Sequence, residues 1–275
     1  MNPIFRSLGA AWWGLKGAFA AGRDLRVWSP LMSLALLRLA LLLLLVFFHR
    51  PEIVALGEPL VVTLAGPEAL RYPEHLFAVP AMIAKVDPLI LLFAGALAFG
   101  RSLRMFARAY LPEWNGPGIR RTFSLIAVTA LWLALEIAVT ALFASLPEAI
   151  EQRGGKLGLA FLIVQLGLLT LLRFPFVHAL AAVAVLGDSA WGGLVRSVRI
   201  ASAEPPAAIV LAAIHAAAAL PFMALLGPIG APRLSASPEV VVILCAARLV
   251  VETLVWMVVL GATARIALWK AGTDR

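Results

Sequence analysis

Apolar residues in this chain gather into long unbroken runs, with neither the alternation of a half-buried strand nor the narrow stripe of a soluble helix. A helix needs about 20 mostly apolar residues to cross a bilayer. Six runs reach that length, at about 30–48, 88–111, 122–146, 157–175, 206–226 and 238–265. The second opens at Asp87-Pro88 and the sixth at Ser237-Pro238, each a capping residue followed by proline at the first helical position. The pattern predicts an all-α, polytopic membrane protein: one integral membrane domain over residues 1–275, with six transmembrane helices. "FFHRPEIV" follows the first run and offers no small-residue cleavage site, so that run reads as a retained anchor.

Three segments outside the runs are amphipathic. In residues 1–29, "IFRSLGAAWWGLKGAF" sets Phe5, Leu8, Trp12, Leu15 and Phe19 at spacings of three and four, beside Arg6 and Lys16, as an interfacial helix would. "RSLRMFARAY" carries Arg101, Arg104 and Arg108 at helical spacing. "SAWGGLVRSVRIA" places Trp191, Leu194, Val195 and Val198 on one face, with Arg196 and Arg199 beside it. Such helices lie among lipid headgroups, tryptophan at the boundary and cations near phosphate; ordinary basic flanks packed on the bundle are the equal alternative. "LFAVPAMIAKV", in the loop at 49–86, is expected on the opposite interface.

Composition agrees with the runs. Hydrophobic residues make up 62% of the chain and charged ones 14%, against about 25% charged in soluble domains. Lys and Arg number 23 and Asp and Glu 15, but the basic residues flank apolar runs, so topology explains them and nucleic acid is excluded as a partner. Fifteen Lys and Arg, Arg173 among them, fall in the N-terminal segment, after the second and fourth runs, and at the C-terminus; six fall on the other side. That asymmetry puts both termini in the cytoplasm. The single cysteine, Cys245, excludes an internal disulfide.

Polar residues sit near the middle of five runs: Arg38, Glu136, Gln165, His215 and Glu252, with Arg248 one turn from Glu252. A charge at a helix centre costs about 2.5–3.5 kcal/mol on insertion scales, so these charges are expected in pairs. Arg248 and Glu252 are i,i+4 neighbours, which leaves Arg38 and Glu136 as the expected interhelical pair. The rival reading is a path for protons, ions or an anionic substrate through Glu136, His215 and Glu252. The four histidines show no HExxH spacing, and neither a GxSxG elbow nor a phosphate-binding glycine loop occurs. No catalytic residue, metal site or cofactor is therefore assigned.

The stretch "LLRFPFVHALAAVAVLGDSAWGGLVRSVRIASAEPPAAIVL" resembles the membrane domain of bacterial glycerophosphodiester phosphodiesterases and related six-helix bacterial membrane proteins. The matching residues are Arg173, Phe174, Phe176, Asp188, Leu194, Arg196 and Ser197; Gly193 stands where that pattern has alanine, and the phosphodiesterase catalytic domain has no counterpart. The resemblance implies a fold and a bacterial inner-membrane location, with Asp188 and Arg196 clamping a helix start. Two functions follow as expectations. One is a non-enzymatic membrane scaffold or accessory subunit, holding anionic lipid headgroups or a partner protein through Arg101, Arg104, Arg108, Arg196 and Arg199. The other is a small transporter or permease-like subunit for a lipid or hydrophobic solute.

Overall fold

The computed structural model describes residues 3–47, 75–116, 121–144, 156–226 and 237–273, with isolated positions at 58, 62, 63 and 66. Most of the loop expected at 49–86 lies outside these. In chain order the helices are α1 (Pro3–Ala21), α2 (Leu25–Val46), α3 (His75–Ile90), α4 (Ala96–Tyr110), α5 (Thr122–Ala144), α6 (Lys156–Arg173), α7 (Ala179–Ala181), α8 (Ala190–Ala203), α9 (Pro205–Leu226) and α10 (Pro238–Thr273). Wider π-helical turns join α3 to α4 at Leu91–Gly95 and extend α7 over Ala182–Leu186. Five helices among the described residues are long and apolar enough to cross a membrane, and up to six if the pair Ala179–Leu186 and Ala190–Ala203, bent by 120°, counts as one. The chain is an all-α polytopic membrane protein.

Two expected boundaries move, each for a local reason. The first span begins at Leu25, where Asp24 caps the helix by accepting the Arg26 N–H at 3.0 Å. Pro30 therefore lies inside α2, and the Arg26 carbonyl that it leaves free accepts the Ser29 hydroxyl at 2.9 Å. The second span does not start at Asp87-Pro88. The helix begins at His75, takes in "LFAVPAMIAKV", and continues past Pro88 into the π turn at Leu91–Gly95. The expected fourth span corresponds to α6, whose described apolar part, Ile163–Arg173, is shorter than a full crossing.

Helix α10 is the hub. At 36 residues it is roughly 50 Å long, and it touches α1, α2, α3, α4 and α9. Helix α1 runs antiparallel to its second half: Gly22 lies by Met257, Ala18 by Gly261 and Trp13 by Trp269. Most of the expected large stripe of α1 faces away from the bundle, with Leu8, Trp12 and Phe19 exposed and Leu15 alone packed against Ile200, Leu211, Ala262 and Ile266, while Ala10, Ala11 and Ala18 form the packed face. Small residues let two helix backbones approach closely, and a Cβ on Gly261 would stand 2.7 Å from both Ala18 and Phe106. Arg265 closes this junction, its guanidinium 3.8 Å from the Trp13 ring and donating to the Trp13 carbonyl at 2.7 Å.

The contacts sort the bundle into two ends. Leu42, Leu45, Leu76, Val79, Cys245 and Leu249 pack together at one. At the other, residues 111–116, Val185, Leu186, Arg196, Arg199 and the end of α10 surround a common cavity. The second end carries the arginines of α8 and most of the basic residues among those described; it is called the basic end below.

Candidate functional site

The interior charges form two separate clusters, neither of which is the Arg38–Glu136 pair expected from the sequence. Arg38 donates from Nε and Nη2 to the two oxygens of Asp87, both at 2.6 Å, and from Nη2 to Glu252 at 2.7 Å. Glu252 accepts in turn from Arg248 Nε at 2.7 Å, the i,i+4 pair that its spacing predicts. Two arginines and two carboxylates thus cancel where α2, α3 and α10 meet. Arg38, Asp87 and Glu252 are all buried; a single unpaired charge there would carry a desolvation penalty of several kcal/mol. Asp87 escaped the sequence reading because Asp-Pro looks like a helix start. Paired to Arg38, it sits inside a continuous helix instead.

Glu136 belongs to the second cluster. It accepts the Trp132 indole N–H at 2.7 Å from one turn away and forms an ion pair with Arg173 at the end of α6. Arg173 is therefore not a surface flank as the run boundary implied. It stands inside the bundle because α6 stops there and the chain turns through residues 174–178 before α7, reaching Leu268 and Ala271 only at Val185 and Leu186. Pro175 in "FPFVH" removes a backbone donor at this interruption, and irregular backbone inside a membrane protein must be satisfied by protein. Helix α8 does so in part: the His178 N–H donates to the buried Ser197 hydroxyl at 3.1 Å.

Helix α8 can fold back this closely for two reasons. Gly187, at φ +82°, turns the chain, and Gly193 has no Cβ; one there would stand 2.6 Å from Val183. The glycine that departs from the resembled pattern is thus required by this contact. Ser189 caps α8 by accepting from the Gly192 N–H at 3.1 Å, and Arg196 pairs with Asp188 at 2.8 Å, the helix-start clamp expected from the sequence.

A cavity of about 60 Å³, within an open recess of about 560 Å³, lies against the chain interruption. Arg173, Trp132, His215, Trp256, Phe176 and Ala212 are among its walls. His215 meets the edges of both tryptophans, with ring centroids 5.9 Å from Trp132 and 5.1 Å from Trp256. Nη1 of Arg173 and Nε1 of Trp256 are buried with no hydrogen-bond partner among the described residues. Gln165 is elsewhere, buried beside a recess of about 420 Å³ that also takes in Arg248 and Cys245. No lining residue is common to the two recesses.

At the basic end, Arg196, Arg199, Trp114 and Asn115 border a cavity of about 810 Å³. Arg101, Arg104 and Arg108 do not line it; they form a separate stripe on α4, with Arg101 and Arg108 exposed and the Nε of Arg104 buried without a partner. On α8, Trp191, Val195 and Val198 are exposed beside Arg199, while Gly193, Ser197 and Ile200 make the packed face. Glu204 and Lys270 pair at 2.9 Å close by. No group of three or more His, Cys, Asp or Glu comes together among the described residues. Compared with protein-family models, curated proteins and solved structures, the chain matches none, so the site is interpreted from its own geometry.

Proposed function

We propose that this chain is a non-enzymatic scaffold or accessory subunit of the bacterial inner membrane, with both termini cytoplasmic, and that its basic helices hold anionic lipid headgroups or a partner protein. The observation that carries this reading is a contrast in charge. Inside the bundle every cited charge has a fixed counter-charge. On α4, Arg101, Arg104 and Arg108 have none among the described residues, although spacings of three and four set their Cβ atoms only about 5–6 Å apart. Like charges held so close attract counter-ions, and at a membrane surface lipid phosphate is the abundant one. The exposed Trp191 and Val195 beside Arg199 support the same reading, a tryptophan and a cation at the level where headgroups lie. The Lys and Arg asymmetry supports placing this end in the cytoplasm.

The test is lipid retention by the purified full-length chain, read by native mass spectrometry from micelles of mixed phosphatidylglycerol and phosphatidylcholine. Replacing Arg101, Arg104 and Arg108 together by Gln is expected to cut phosphatidylglycerol retention roughly a hundredfold, at about 1 kcal/mol for each cation, and to leave phosphatidylcholine unchanged. Equal retention by a triple variant that melts like the parent would remove the lipid-holding role.

A second reading, a small transporter for a lipid or hydrophobic solute, is favoured by one observation. The interruption at 174–178 lies beside a cavity with His215, as broken helices do in many transporters. Against it, the recesses at His215 and Gln165 are separate, and Glu252 is held by two arginines.

A further inference from the structure

Arg248 and Gln165, with the thiol of Cys245, are the polar walls of the recess of about 420 Å³; its other walls are apolar, Phe77, Phe222 and Leu226 among them. Arg248 gives its Nε to Glu252 at 2.7 Å, but Nη1 and Nη2 have no partner among the described residues. Gln165 is only 8% exposed, and neither polar atom of its amide has a partner among them. None of these four atoms is sealed off. The buried nitrogens and oxygens without a partner among the described residues all belong to other side chains, and the Arg248 side chain is 41% exposed. An amide buried this far and left unpaired is rare in native structures, so the recess is shaped for an occupant with polar atoms.

The recess opens sideways. Helix α3 packs on α10, α10 on α9 and α9 on α6, which closes three sides. No comparable contact joins α3 to α6 among the described residues, and Phe77, a wall on α3, is exposed. In a membrane chain, a gap with an apolar lip between two helices admits what the bilayer carries. The volume lies within the range of ligand pockets, about 300–1,000 Å³.

Hydrogen bonding and charge narrow the occupant. A guanidinium only donates, whereas an amide offers both a donor and an acceptor whichever way round it is turned. The occupant must therefore accept and donate; an ester or ketone only accepts, and a hydroxyl does both. Charge is already balanced, with Arg38 and Arg248 against Asp87 and Glu252, so an anion would stand beside Glu252 without a cation of its own. An uncharged head also leaves the headgroup layer more cheaply than a charged one. We propose that this recess binds the uncharged hydroxyl head of a long-chain amphiphile, an alcohol or an acylglycerol, between Arg248 and Gln165, its chain leaving between α3 and α6. The site shares no residue with the arginines of α4 and α8, so its failure leaves the scaffold reading standing.

The experiment is scintillation-proximity binding of tritiated monopalmitoylglycerol to the purified full-length chain in dodecyldimethylamine oxide, a detergent without hydroxyl groups. Saturable binding, displaced by monopalmitoylglycerol and by hexadecanol but not by methyl palmitate, hexadecanesulfonate or hexadecane, is the expected result. The tighter of the two hydroxyl compounds then identifies the source of the head. Gln165→Leu removes an amide that no described protein atom uses, so the variant should fold, as its melting transition will show. It should bind monopalmitoylglycerol roughly thirtyfold more weakly, the effect of two hydrogen bonds, and lose the preference for alcohol over ester. Ala81→Phe, at an exposed wall of the recess, should abolish binding in a chain that still melts cooperatively. The proposal is overturned if methyl palmitate or hexadecane competes as well as hexadecanol, or if the sulfonate competes best. It also fails if folded Gln165→Leu binds like the parent, or if the folded parent shows no saturable binding, as when water alone fills the recess.

Discussion

Arg38→Met should lower the unfolding free energy of the purified chain by about 3–5 kcal/mol, the effect of removing one partner from a buried ion pair. Arg38 supplies both hydrogen bonds that the Asp87 carboxylate receives, and it also binds Glu252. Without it Glu252 keeps Arg248, but Asp87 is left ionised or forced to take a proton, buried in the wall between α2, α3 and α10. The loss should appear in a denaturant titration in mixed micelles. Adding Asp87→Leu to Arg38→Met should recover most of it, since the remaining pair is neutral and a well-packed apolar replacement is often no worse than a buried ion pair. Combining Arg38→Met with Glu136→Gln should instead give additive losses, because each residue has its own partner on another helix. A rescue in that combination would contradict the network.

Arg173→Met comes next in size, at about 1.5–3 kcal/mol, the range for a hydrogen bond to a charged group. The carboxylate of Glu136 would keep only the indole N–H of Trp132, in a helix that carries no other charged residue. The value is lower than for Arg38 because both side chains are partly accessible, at 12% and 18%. Glu136→Gln in the Arg173→Met background should restore much of the loss: the amide is neutral and its carbonyl still accepts from Trp132. Thermal melting of the three variants checks this. No relief in the double variant would mean that Arg173 acts through some other contact.

The run lengths announced the helical membrane architecture, simple spacing announced the Arg248–Glu252 pair, and the Asp188–Arg196 clamp was implied by the resemblance. These are local features, set within one or two turns of chain. The partner of Arg38 was not legible for two reasons. The apolar runs begin at 30 and 88, whereas the helices begin at Leu25 and His75, so Arg38 lies farther along its helix and level with Asp87 and Glu252. Asp87 itself read as a cap, because a lone carboxylate before proline is more stable at a helix start than inside one. Only a cation from another helix reverses that preference, and periodicity along one helix contains no information about its neighbours. Arg173 was misplaced for a related reason. It ends an apolar run, but the next apolar stretch, "ALAAVAVL", continues the interior after five irregular residues. The stripe of α1 misled differently: Leu8, Trp12 and Phe19 point outwards, only Leu15 turns inwards, and alanines and glycines make most of the contact, because close helix packing selects small side chains.

The interior charges are held in fixed pairs, and the proposed function leaves only the arginines of α4 and α8 to meet lipid or a partner. Proton flux into sealed vesicles of reconstituted full-length chain, driven by a potassium diffusion potential and read with a pH-sensitive dye, tests that claim most directly. Fixed pairs should give flux equal to that of lipid-only vesicles, for the parent and for Arg38→Met combined with Asp87→Leu alike. Flux above the lipid background that disappears on Glu136→Gln or Glu252→Gln, in variants that remain folded, would contradict it and make those carboxylates parts of a path.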